Sequence, residues 1–262
     1  MYKTSLTDEQ WQVIERFFDE KNGKVTSGRP IKTSYRFIFN AILYITFTGV
    51  QWRMLPNDFP PYGTVYYHFS KWKNDGTFKK INDELSKYYR IKLGKNENPT
   101  LGIIDSQSSK TTENAKTRGF DGNKKIKGRK RHIVVDTLGN IIDLQVHDAN
   151  IHDSKGARLF LTSLKKLSYQ LVKIIADKGY YGNIRNDFKN VLKIELEIAG
   201  EEKNDNGFVV VSKRCIVERT FAWLGKCRRL CRDYETLSTS VASYCYLSMI
   251  KLLLNRLFSN EI

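Results

Sequence analysis

Apolar residues recur at three- and four-residue spacing through the first part of the chain, and beyond residue 100 they collect into short runs separated by turns. The first pattern predicts helices. Thr7 reads as an N-cap with Gln10 at the third helical position, and Leu6 is spaced to staple onto Trp11, which shares a stripe with Ile14 and Phe18. A second helix is expected over 34–48, with Phe37, Ala41, Tyr44, Ile45 and Thr48 on one face and Gly49 as its stop. After a loop holding Pro56, Pro60 and Pro61, Thr64 opens a third helix with Val65, Phe69 and Trp72 inward. Tyr66, Tyr67, His68 and Lys71 lie off that stripe, as a groove-reading helix would require. Gly76 ends it, and Phe78, Ile81, Leu85 and Tyr88 mark a fourth.

The polar stretch KNENP changes the pattern. Residues 1–94 read as an all-helical unit, 95–100 as a linker and 101–262 as a second domain. Its predicted order is strand 101–106, strand 132–136, a Gly-Asn turn, strand 141–147, helix 154–167, strand 171–177, helix 184–191 and strand 194–198, with helices closing the chain. Hairpins followed by helical crossovers describe a mixed sheet with flanking helices, an α/β architecture preceded by an all-helical N-terminal domain.

At 262 residues and 40% hydrophobic content the chain is long enough for a real core, which excludes a disordered tail. No apolar run reaches the ~18 residues of a membrane span, and MYKTSLTDEQW lacks the layout of a secretory signal. A cytoplasmic protein with reduced thiols and no membrane partner is expected. Charge narrows the choice: 44 Lys and Arg against 28 Asp and Glu give +16, which asks for a polyanionic partner, and nucleic acid leads.

Two apolar strands end in acids, Asp105 and Asp177. If these strands are parallel neighbours, a spacing of roughly 4.8 Å brings the two carboxylates together. Such anions repel unless a cation bridges them, and hard divalent ions take carboxylate oxygens while engaging substrate phosphates. Glu218 supplies a third acid, set in a run from Lys213 to Arg232 whose other charged residues are all basic. A helical stripe of Ile216, Thr220, Trp223, Cys227, Leu230 and Tyr234 puts Glu218 away from the buried face, above the small residues Ala222 and Gly225. Arg214 precedes it by one turn, and a backbone phosphate would fit beside it.

Between the first two acids, GFDGNKKIKGRKRH crowds Lys124, Lys125, Lys127, Arg129, Lys130 and Arg131 into the approach to a strand, a run able to track a DNA backbone. Arg214, Lys226 and Arg229 are the further candidates for phosphate contact. In VHDANIHDS, His147 and His152 flank Asp148 and Asp153, which are transition-metal ligand types. Phosphoryl transfer uses oxygen ligands, so structural or positioning roles are expected for His132, His147 and His152.

In this order the blocks resemble the DDE transposases of bacterial insertion sequences, in particular the insertion sequence five group of the four-and-five superfamily. GRPIKTSYRFIFNAILYITFTGVQWRMLP is similar to the helical N-terminal region, GIIDSQSSK to the first acidic motif and KGRKRHIVVDTLGN to the hairpin after it. ADKGYYG resembles the second acidic motif and VERTFAWLGKCRRL the third. The resemblance implies a ribonuclease H-like catalytic domain with Asp105, Asp177 and Glu218 holding two divalent ions, Mg²⁺ with Mn²⁺ as substitute. It implies cleavage at the element's inverted ends, joining of the 3′ ends to target DNA, and a homodimer or larger synaptic complex on the bacterial chromosome. Of the superfamily's tyrosine, arginine, glutamate and lysine signature, Arg214 and Glu218 match; Val211 stands in place of the tyrosine and Gly225 in place of the lysine, with Lys226 next. Two other readings stay open: an inactive transposase-derived DNA-binding protein, and a metal-dependent nuclease without strand transfer.

Overall fold

The computed structural model describes residues 2–19, 33–165, 171–199 and 214–258; Val211, Lys213, the 28–32 part of the N-terminal motif and Leu167 lie outside them. Helix α1 (Asp8–Asp19) begins where Thr7 and Gln10 exchange bonds, each backbone N–H donating to the other's side chain at 3.3 Å. Helix α2 (Tyr35–Thr48) is capped by Ser34 and closed by Gly49, whose φ of 72° lets its N–H reach Ile45 O. Its buried face is not the expected one. Ile38, Phe39, Ile42, Leu43, Ile45 and Thr46 are buried with Ala41, whereas Phe37 is 56% exposed. The helix is apolar nearly all round, so spacing alone could not select the face that meets its neighbours.

Helix α3 (Tyr62–Asn74) starts two residues before Thr64 because Pro61 sets its first turn, and α4 (Thr77–Lys92) follows Gly76. Tyr66 and Tyr67 are exposed, but His68 is buried against Tyr35 and Trp72 and leaves the expected outer face.

Strands β1 (Leu101–Lys110), β2 (Gly119–Asp121), β3 (Ile126–Val135), β4 (Ile141–Asp148), β5 (Lys173–Ala176) and β6 (Glu195–Ile198) form one sheet. β3 pairs antiparallel with β1 on one edge and with β2 and β4 in turn on the other; β1, β5 and β6 run parallel. The mixed hairpin-then-crossover order matches the expected ribonuclease H-like architecture. The 154–167 helix is instead two short ones, α5 (Asp153–Ala157) and α6 (Phe160–Lys165); α7 is Ile184–Asp187, running on into a single π-helical turn.

Helix α8 (Arg214–Gly225) stops at its glycine, so the stripe drawn through Tyr234 is broken; Val217, Thr220, Phe221 and Leu224 are its buried side. The short α9 (Arg228–Cys231) and the long α10 (Ser238–Phe258) follow. Alternation along β1 sends Ile103 into one apolar cluster and Ile104 into another, so both faces of the sheet are covered. The first cluster runs without a break from Leu6, Ile42, Phe69 and Leu85 to Ile133, Phe221 and Leu254. Residues 95–100 therefore mark the change from helices to strands and do not divide the core. α10 packs on α1, α2, α3 and α4 as well as on β4, and its buried Lys251 donates to Ser5 O and Gln10 Oε1, each at 3.1 Å. Each Leu or Ile so buried contributes about 1.5–3 kcal/mol. No described helix is long and apolar enough to cross a membrane.

Candidate active site

The register Ile103↔Ile175 places Asp105 and Asp177 each two residues further along neighbouring parallel strands. Alternation keeps both on the side where Ile103 and Ile175 meet the first apolar cluster, the side on which α8 packs. Asp105 Oδ1 accepts the N–H of Ser106 at 2.7 Å, and Asp177 Oδ1 accepts that of Gly179 at 2.8 Å, which starts the tight turn Lys178–Tyr180. Burial, with the negative charge of Asp177, pushes the Asp105 carboxyl up to about 6; Ser106 N–H, Lys124 and Arg214 counter it only in part. Two carboxylates so arranged repel one another, a repulsion that a nearby cation relieves.

Glu218 stands on the exposed side of α8, and its neighbours Ala222 and Gly225 are exposed too, with nothing within 4 Å of where a Gly225 Cβ would be. Arg214 Nη2 lies 3.8 Å from Asp177 Oδ2 and 3.9 Å from Glu218 Oε1, so its guanidinium stands between the two acids. The seat of α8 is the β3–β4 turn. Thr220 Oγ1 donates to Gly139 O at 2.9 Å, and Gly139, at φ +84°, has Trp223 only 2.7 Å from where a Cβ would sit. Three carboxylates offering only oxygen suit a hard divalent ion. Among the described residues no three such groups stand close enough together to hold one ion, so Asp105, Asp177 and Glu218 would have to draw together around it.

Beneath this site lies a buried polar network that sequence spacing did not reveal. Ser106 Oγ and Lys130 Nζ both donate to Asp153 Oδ1, at 2.7 and 3.0 Å. The Tyr180 hydroxyl is 2.6 Å from His132 Nε2, and His132 Nδ1 is 3.3 Å from His147 Nε2. His147 Nδ1 meets Asp148 O at 3.0 Å. These histidines are inside the fold, and His152 caps α5. The motif VHDANIHDS was the visible signal for Asp153; Ser106 and Tyr180 lie in the acidic motifs GIIDSQSSK and ADKGYYG, but nothing in the spacing singled them out.

The basic run separates into two groups. Lys124, Lys125 and Lys127 are exposed on the β2–β3 hairpin, and Lys124 Nζ reaches Ser106 O at 3.2 Å, beside Asp105. Arg129, Lys130 and Arg131 are buried and are corrected from DNA contacts to internal ties. Arg129 pairs with Asp233 at 3.1 Å and donates to Thr117 O, Glu235 O and Thr236 O; Arg131 donates to Ser109 Oγ and Leu230 O. Arg229 is likewise turned inward, to Glu235 at 2.7 Å and to Val50 O. A buried side chain already bonded to protein cannot reach a phosphate. Lys226 and half-exposed Arg214 remain open to one.

Residues 96–254 match a family model described as a transposase DDE domain, and residues 6–82 match one described as a transposase of the IS4/5 family. No curated protein matches the chain.

Proposed function

Because the chain belongs to the family of transposases with a DDE domain, we propose that Asp105, Asp177 and Glu218 are its acidic triad. In this reading the protein binds the ends of its insertion sequence, hydrolyses the phosphodiester there and joins the freed 3′ ends to target DNA. The observation that carries it is the placement of the acids: Asp105 on β1, Asp177 just past the end of its parallel neighbour β5, and Arg214 Nη2 3.8 Å from Asp177 and 3.9 Å from Glu218. Members of the family generally use divalent metal ions, and two Mg²⁺, or Mn²⁺ in their place, would stabilise the attacking and leaving oxygens of an in-line displacement.

The chain's own part is to hold the carboxylates within reach of one another and to keep their charge matched. Arg214 supplies that match before metal and DNA arrive, then becomes free to meet a phosphate. Lys124, Lys125, Lys127 and Lys226 line the open approach and would hold the DNA backbone without reading its sequence. Since two element ends must be cut and brought to one target, the working form is a dimer or larger synaptic complex.

The test is a supercoiled plasmid carrying the gene with its native flanking DNA, incubated with Mg²⁺ and either wild-type protein or Asp177→Asn. Metal-dependent breaks at paired inverted repeats, followed by strand joining and absent in the variant, are expected. Scattered nicking by both proteins would overturn the assignment.

A further inference from the structure

Arg90 stands in the last turn of α4, away from the strands that carry the acids, and its side chain is buried. Two of its nitrogens are bonded: Nε donates to Asn96 O at 2.8 Å, and Nη1 pairs with Asp136 Oδ2 at 2.7 Å. Asp136 follows the last residue of β3 and is buried as well. Its other oxygen, Oδ1, accepts the N–H groups of Leu138 and Asn140, both at 2.9 Å, so the β3–β4 turn is wrapped around this one carboxylate. Asn140 Nδ2 adds a bond to Oδ2 at 3.1 Å.

The turn so shaped is the seat of α8. Gly139 O receives the Thr220 hydroxyl, and the Trp223 ring covers the same glycine. Those two side chains are three residues apart on one face of α8, while Glu218 leaves the helix roughly 200° around from Thr220. A seat that fixes Thr220 and Trp223 therefore fixes the height and rotation at which Glu218 stands. A second contact starts from the same turn of α4. Arg256 of α10 places its guanidinium 5.4 Å from the ring centre of Tyr89 and 4.1 Å from that of Trp223.

We propose that Arg90 is a positioning residue for Glu218, acting through Asp136 and the turn on which α8 rests. The proposal rests on the reading of Asp105, Asp177 and Glu218 as the triad. Asp105 and Asp177 are placed by the pairing of β1 with β5. Glu218 has no strand to place it and takes its position from a turn that a residue of α4 holds. Because the acids have to draw together around an ion, the direction of Glu218 matters: a misplacement of about 1 Å can cost about a hundredfold in rate.

The test is Arg90→Met combined with Asp136→Asn in the full-length protein. Both charges go together, so no buried ion is stranded and stability should stay close to wild type. The new amide oxygen can still receive the N–H groups of the turn, and what is lost is the tie to α4. Single-turnover cleavage of pre-bound DNA carrying the gene's native flanks should slow about 10- to 100-fold, with DNA affinity within about twofold of wild type. Mn²⁺ binding without DNA, followed by electron paramagnetic resonance of the free ion, should weaken as it does in Glu218→Gln. All three substitutions together should weaken it no further than Glu218→Gln alone. Wild-type cleavage by the double variant, or a Mn²⁺ loss that adds to that of Glu218→Gln, would overturn the role of Arg90 and leave the triad standing. Slower cleavage accompanied by matching losses of stability and DNA affinity would overturn it too, because that is the mark of a tie that only holds the fold. Wild-type cleavage and Mn²⁺ binding by Glu218→Gln would overturn the triad reading itself.

Discussion

The hydroxyl of Tyr180 meets Nε2 of His132 at 2.6 Å, and this contact fixes the protons of a buried chain. At its far end the acceptor is a carbonyl, Asp148 O, so His147 carries its proton on Nδ1 and presents Nε2 as an acceptor. His132 must then donate from Nδ1, which leaves its Nε2 to accept from Tyr180. Both rings are neutral. Burial lowers their proton affinity, and for His132 the neighbouring His147 adds to the effect.

Histidine nitrogen chemical shifts at pH 7 should therefore show both rings neutral with the proton on Nδ1. The unfolded chain takes up protons near pH 6.5 that the native rings refuse, so these two groups make stability fall as pH drops below that point. Tyr180→Phe leaves the buried His132 nitrogen without a donor and should cost about 1–3 kcal/mol in denaturant unfolding.

Asp105→Asn should make the metal-free protein more stable at pH 7.5, by about 1–3 kcal/mol, while abolishing cleavage. The sign follows from the raised folded-state value, from 3.8 to about 6. A carboxyl that binds its proton more tightly when folded destabilises the native state above that range, and the wild type recovers as pH falls from 6 toward 4. Denaturant curves in chelator at pH 7.5 and 4.5 check this: the gap between variant and wild type closes at the lower pH.

Arg129→Ala should destabilise the fold by about 3–5 kcal/mol, because it strands the fully buried Asp233. Lys125→Ala and Lys127→Ala should leave stability within about 0.5 kcal/mol of wild type. Each should weaken DNA binding alike for all sequences and reduce the salt slope by about one. Calorimetry and binding titrations across salt concentrations separate the two classes.

Gly139→Ala brings a methyl to within 2.7 Å of Trp223, on a backbone at φ +84°. A loss of about 1–3 kcal/mol is expected. Since the turn seats the helix carrying Glu218, cleavage rate should fall more than DNA affinity. Single-turnover cleavage beside a binding titration would show whether the two are affected unequally.

The capping residues Thr7 and Gly49 and the strand-ending acids could be read from the chain because each acts on its nearest neighbours. The outcome differs where a partner lies far away. Arg129 reads as a solvated cation until Asp233 and Glu235, over a hundred residues later, close around it. The polar stretch 107–110 extends β1 only because 128–131 of β3 pairs with it. Phe37 and Ile38 are equally apolar, and the choice between them belongs to the helices that pack on α2. Asp153 shares a motif with two histidines, and spacing cannot tell which of its neighbours it will meet.

The long helix α10, whose side chains fill the core shared by α1–α4 and the sheet, imposes an order on synthesis. A nascent chain that has emerged only as far as α4 carries the apolar faces of Phe69, Phe78 and Leu85 with their eventual cover still on the ribosome. The N-terminal helices cannot mature ahead of the sheet. Helices α1–α4 and the sheet reach their final packing in the same folding step, once residues 238–258 have been released.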